Sequence, residues 1–341
     1  MKKEHKSIFA LPYVGISRYG ELDILYGSAG ELSAVCRITN PVMQYGASAQ
    51  RYRNFQNVLI NVVKILGEGY ILQKQDIFIR QSYQPAEEPE YLQQKYQQHF
   101  TARPYTEVRS YLTITRPVKK GIFYTYDEKA LAAFTQNMDK AFDLLARGGM
   151  EPHFLSEPEI NRLVSRILTM DFTTPHLAVD NIRAKDSEIE MGDKAVRCIT
   201  LVNTDTVDLP EFIEPSVAST LAGEITDFPL DNLFFLSGVT GYQTMIYNQL
   251  LEIPSQRTTT AKLKLKRKRH SGVPDPANLS CVEDIDKLLK DVERENQLLV
   301  HAHFSIHLCA KKENIDRAAN FIEAALFQQG IIPSPNAYNQ L

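Results

Sequence analysis

A chain of 341 residues has room for about two domains of ordinary size, and buries most of its apolar surface without help from disulfides or metals. Its composition, 43% hydrophobic and 23% charged, excludes a disordered or collagen-like chain, and a net charge of -3 is too small to steer a partner, so any electrostatic function must be local. Four cysteines without a CxxC pair exclude a zinc ribbon or thioredoxin motif, and no stretch approaches the roughly 18–20 apolar residues of a membrane-spanning helix.

The first forty residues read as β hairpins. Short apolar runs at 8–16, 23–26 and 32–38 are separated by Gly20, Gly27 and Gly30, and Pro41 ends the last one. Pro12 and Gly15 break the first run, so the lysines before it do not make a secretory leader. Phe55, Val58, Leu59, Val62, Val63 and Leu66 then repeat at helical spacing, and Gly67 stops the helix. Residues 71–79 and 108–115 read as strands, with a proline-bounded loop at 85–89 and a short polar helix at 90–99 between them. Asp127 is placed to cap a helix with the stripe Leu131, Phe134, Met138, Phe142 and Leu145. Gly148 and Gly149 close it and mark the expected boundary between an N-terminal lobe, 1–149, and a second lobe, 150–341.

The second half opens on a capping box, Ser156 with Glu159, followed by a stripe from Ile160 to Leu168. Residues 173–190 read as irregular, Gly192-Asp193-Lys194 as a hairpin turn, and 195–202 as a strand. Residues 204–226 have a mixed pattern, 233–236 read as a short strand, and 242–251 read as helical up to Pro254. Ser280 and Glu283 suggest a second capping box ahead of Ile285, Leu288, Leu289 and Val292. The clearest strand is 298–310, whose even positions are all apolar. Asn314 then caps a helix that Gly330 ends. No internal repeat is visible. The expected fold is α+β: two lobes of mixed or antiparallel sheet packed with helices, neither a P-loop nor a Rossmann fold.

Phosphate-binding and catalytic signatures are missing. Gly192-Asp193-Lys194 lacks the upstream glycine and the hydroxyl of a P-loop, and no HExxH, GxSxG or GxGxxG occurs. Two constellations remain. His301, His303, Ser305, His307 and Cys309 occupy the odd face of the last strand. Neighbours two apart lie about 7 Å from each other, a spacing at which imidazole and thiolate can take zinc. The same pattern also fits a strand with one polar, partly exposed face. The second constellation is Arg257, Lys262, Lys264, Lys266, Arg267, Lys268 and Arg269, a run without acids. Such a run fits anionic lipid or nucleic-acid phosphates, or a solvated connector, and the lack of interleaved aromatics disfavours base stacking.

Ile71-Leu72-Gln73-Lys74-Gln75-Asp76-Ile77-Phe78 resembles a segment near the start of the TraG proteins of Bacteroides-type conjugative transposons. Tyr111-Leu112-Thr113-Ile114-Thr115, the helix-strand-helix order over 280–330, and Asn336-Ala337-Tyr338-Asn339-Gln340-Leu341 resemble later parts of the same family in the same order. The resemblance implies an N-terminal domain of a type IV secretion ATPase. It would sit in the cytoplasm, peripheral at the inner membrane, attached to inner-membrane subunits of the conjugation channel and homo-oligomeric in the full-length protein. The RecA-like motor with its ATP and magnesium would follow Leu341, so this part is expected to hold no cofactor and to catalyse nothing. The alternatives are a metal-dependent enzyme built on the histidine strand and a nucleic-acid-binding module built on the basic run.

Overall fold

The computed structural model describes residues 13–40, 49–85, 90–117, 127–174, 182–200, 216–219, 227–230, 236, 238–273, 275–295, 297–329 and 331–335. The first half begins as a meander of β1 (Tyr13–Tyr19), β2 (Leu22–Gly27) and β3 (Leu32–Ile38). Helix α1 (Ala49–Leu66) leads to β4 (Ile71–Ser82), and α2 (Tyr91–Phe100) leads to β5 (Pro104–Arg116), which returns antiparallel to β4. Helix α3 (Glu128–Arg147) follows, with the Asp127 carboxylate accepting the N–H groups of Lys129 and Ala130.

After the two-residue β6 (His153–Phe154), α4 (Glu157–Thr169) starts on the Ser156–Glu159 capping box. The Glu159 carboxylate accepts the Ser156 N–H at 2.8 Å. Part of the stretch expected to be irregular forms β7 (Ile182–Ala184) and β8 (Ile189–Met191), which turn through Gly192, at φ +60°, into β9 (Lys194–Thr200). A separate ribbon pairs β10 (Ser216–Ser219) with β11 (Asp227–Leu230). Then come β12 (Tyr242–Glu252), the helices α5 (Gln256–Ser271) and α6 (Pro276–Glu295), β13 (His301–Lys311), α7 (Ile315–Gln328) and the two-residue β14 (Ser334–Pro335). Most of 201–235, Gly330 and the 336–341 segment lie outside the described residues.

Three readings are corrected. Residues 242–252 form a strand, not a helix. This strand lies between β4 and β13 and buries Met245 on one face and Ile246 on the other, so its apolar run shows no period of two. The basic run, for which no regular structure is expected, is a regular helix. Helix α6 begins at Pro276, four residues before the expected cap at Ser280. Asp275 caps it, its Oδ1 accepting the Asn278 N–H at 3.0 Å, and proline suits the first helical position.

The fold is α+β. Ten strands form one antiparallel sheet in the order β1-β2-β3-β5-β4-β12-β13-β9-β8-β7, with β6 and β14 added beside β3 and β9. This order is the same read from either edge. Each half contributes a three-strand meander, then a strand, a helical insertion and an antiparallel return strand, and each ends on a helix. The strand β4 of the first half pairs with β12 of the second through nine residues, from Ile79 opposite Thr244 to Ile71 opposite Glu252. The topology therefore carries an approximate two-fold repeat that the sequence does not display.

Alternation along the strands separates the two faces. On one face, Leu72, Leu112 and Ile114 pack under α1 and α3. On that same face, Met245, Ile306, Leu308 and Ala310 pack under α7, as the even-position pattern of the last strand requires. The opposite face is covered by α4, whose Ile160 and Leu163 share a cluster with Val35, Ile77, Ile79, Ile246 and Cys309. That third cluster draws on strands from both halves.

Candidate functional site

The seven basic residues of the run fall on α5. Its base is pinned by Gln256: the backbone N–H donates to Glu68 at 3.0 Å, Nε2 donates to the Leu299 carbonyl at 2.9 Å, and Oε1 accepts the Leu299 N–H at 2.8 Å. A half-buried stripe of Thr259, Thr260, Leu263, Arg267 and His270 turns towards α6, where Ile285 is buried. Arg267 is committed to this contact, its Nε and Nη2 donating to the Asp286 carboxylate at 2.5 and 2.8 Å. That partner pulls the Asp286 pKa down and the Arg267 pKa up.

The remaining cations, Arg257, Lys262, Lys264, Lys266, Lys268 and Arg269, are exposed and make no ion pair among the described residues. Leu265 lies exposed among them. No residue of α5 is buried and none is acidic. Its outer face is therefore a ridge of uncompensated positive charge around one leucine, on a hairpin inserted between two neighbouring strands.

The histidine strand is β13. His301 is exposed and reaches Glu252 at 3.3 Å. His303 is exposed, His307 is half-buried with its ring nitrogen 3.3 Å from Ser305 Oγ, and Cys309 is buried beneath α4. Burial pushes the Cys309 thiol up to about 12, so at neutral pH it is a protonated thiol in the core. From His301 to Cys309 the candidates stretch over roughly 26 Å of extended chain. Among the described residues no group of three or more His, Cys, Asp or Glu is arranged to hold a metal ion.

A concave site lies on the α4 face, where Arg37, Arg109, Arg162 and Arg166 line a cavity of about 170 Å³ with Tyr111 and Glu159. Arg37 and Tyr111 are register partners on β3 and β5, and Arg109 lies two residues before Tyr111 on the same face. Arg162 and Arg166 are one turn apart on α4. Arg109 is held by Glu107, with Nε to Oε1 at 2.6 Å and Nη2 to Oε2 at 3.0 Å. Arg166 donates to the carbonyls of Asp171 and Thr174 at 3.1 and 3.3 Å. The sequence reading missed this site because the arginines are scattered through 130 residues on three elements. Only the Arg162–Arg166 spacing on a predicted helix hinted at it.

No protein-family model matches the chain, and no curated protein matches it. Among the described residues no helix is long and apolar enough to cross a membrane.

Proposed function

We propose that this chain is a non-catalytic docking and assembly module of a TraG-class conjugative secretion ATPase, held against the cytoplasmic surface of the inner membrane by the outer face of α5. The observation that carries the reading is the unpaired basic ridge on a helix without buried residues. A helix that gives nothing to the core is not needed for packing. Its charge sits where an anionic surface can reach it, and each Lys or Arg near such a surface contributes about 1 kcal/mol. Leu265 supplies a small apolar contact beside those charges. On this reading the inner-membrane subunits of the channel meet the same side of the molecule, the full-length protein assembles as a homo-oligomer, and ATP and magnesium belong to a separate motor domain.

The test is co-sedimentation with vesicles. Vesicles containing anionic phosphatidylglycerol should carry the protein down at low salt, while neutral phosphatidylcholine vesicles should not. Changing Lys262, Lys264, Lys266, Lys268 and Arg269 to Gln should abolish the effect. Equal sedimentation of the substituted and unsubstituted proteins would defeat the proposal. Preference for duplex DNA over anionic vesicles at matched salt would redirect it to a nucleic-acid role for the same helix.

A further inference from the structure

The α5 ridge explains nothing about the four arginines of the α4 face, which call for a ligand of their own. Guanidinium groups repel one another at close range unless anions lie between them. Here the anions are insufficient. Glu107 offsets Arg109. Glu159 also lines the cavity, accepting the Ser156 N–H and hydroxyl at 2.8 and 2.6 Å and lying 3.5 Å from His153, so two carboxylates face four guanidinium groups. The Arg166 donors go to neutral carbonyls, which hold the side chain without cancelling its charge. Arg37 and Arg162 are exposed and make no ion pair or side-chain hydrogen bond among the described residues.

The pocket is also pre-shaped. Arg109 and Arg166 are fixed by their partners, and Arg37 and Arg162 are free to close. The Tyr111 side chain is largely buried and its hydroxyl makes no hydrogen bond among the described residues. Burial keeps that phenol above its ordinary pKa against the pull of Arg109 and Arg37, so it remains a donor at neutral pH. Leu155, Leu163 and Phe172 supply an apolar wall. A cavity of about 170 Å³ compares with the ~150 Å³ that accepts a benzene-sized molecule, so it is sized for one tetrahedral oxyanion or a small organic ester of it, not a whole nucleotide.

We infer that Arg37, Arg109, Arg162, Arg166 and Tyr111 form a binding site for a phosphate group. Arg is the side chain best matched to phosphate, since its planar fork donates two parallel hydrogen bonds. The phosphate is either free orthophosphate or the monoester end of a small molecule or lipid headgroup. This site is independent of α5.

The test uses the full chain with three probes: orthophosphate, glycerol 3-phosphate, and vesicles of phosphatidylcholine with and without phosphatidic acid. Calorimetry at constant ionic strength should show saturable one-to-one binding of orthophosphate or of the soluble ester, with Kd below about 1 mM. Arg Nε–H NMR signals of the pocket should shift, while chloride leaves them in place. Arg37→Gln and Arg162→Gln, both at exposed positions, should each weaken binding roughly tenfold. Neutralising α5 should leave it unchanged. Tighter binding of the ester than of orthophosphate assigns the site to an esterified ligand, and the reverse assigns it to the free ion. Binding to phosphatidic acid vesicles that survives neutralisation of α5 but fails in the Arg37→Gln, Arg162→Gln double variant assigns it to a lipid headgroup. No saturation by any probe, or binding that the double variant leaves intact, overturns the assignment.

Discussion

Asp171 shows how much one carboxylate ties together at the end of α4. Its Oδ1 accepts the N–H groups of Thr173 and Thr174 at 3.0 and 3.1 Å, its Oδ2 accepts the Thr174 hydroxyl at 2.8 Å, and Lys194 of β9 lies 3.3 Å away. Burial pushes its pKa up, but the hydrogen bonds and Lys194 outweigh burial and hold the carboxyl well below the usual range. A folded-state pKa below the unfolded value means stability that is complete above the unfolded pKa of about 3.9 and drains away as pH falls below it. Asp171→Asn should therefore cost about 1–3 kcal/mol at pH 7. Urea midpoints taken from pH 7 to pH 2.5 should draw steadily closer for the two proteins as pH falls below about 4. A gap that stays constant across the range would mean that the charge is not what matters. Little of this was legible beforehand, because Asp171 meets Lys194 only once β9 has been laid against the turn that follows α4.

At the scale of elements, the inserted hairpin is the piece that the sheet does not need. Glu252 and His301 are register partners at the ends of β12 and β13, so a short link can join them. Replacing residues 257–296 by a Gly/Ser linker of roughly six residues should leave Tm within about 4 °C of the parent and remove binding to anionic vesicles. Thermal melts and sedimentation read the two effects separately, and collapse of the fold would show that α5 and α6 support the sheet after all. The charge of α5 was plain in the sequence, but its helical state was not. Lys, Arg, Leu and Ala are good helix formers, yet without an apolar stripe there is no period to see. The alternation of β13 was easy to read because one of its faces is covered by α7 and much of the other is polar. In β12 both faces carry buried side chains and the signal vanished. The arginine pocket was hidden for a third reason: no local pattern links Arg37, Arg109 and Arg162 until the sheet brings β3, β5 and α4 together.

For the whole molecule, the decisive feature is the joint between the halves. Side chains on one sheet face form two clusters, one centred on each half, with Leu251 and Ile253 reaching into the first and Phe78 packing against the second, while the α4 face carries a single cluster drawn from both halves. Gln73 Nε2 donates to Asn248 Oδ1 across the joint at 2.7 Å, the Thr106 and Tyr242 hydroxyls meet at 3.0 Å, and Ile77 and Ile79 share a cluster with Ile246 beside the backbone ladder. Native-state hydrogen exchange should find the amides of β4 that face β12 opening at lower free energy than those that face β5. Equal protection on both sides of β4 would argue for a single cooperative unit. The palindromic order also sets a condition on how the chain reaches its native state. Ile71 must find Glu252, and bringing together points about 180 residues apart costs roughly 4–5 kcal/mol of chain entropy before a single contact there repays it. Hairpin pairing within each half, from Ser82 to Pro104 and from Glu252 to His301, closes shorter loops, so these pairs are expected to order before the halves meet.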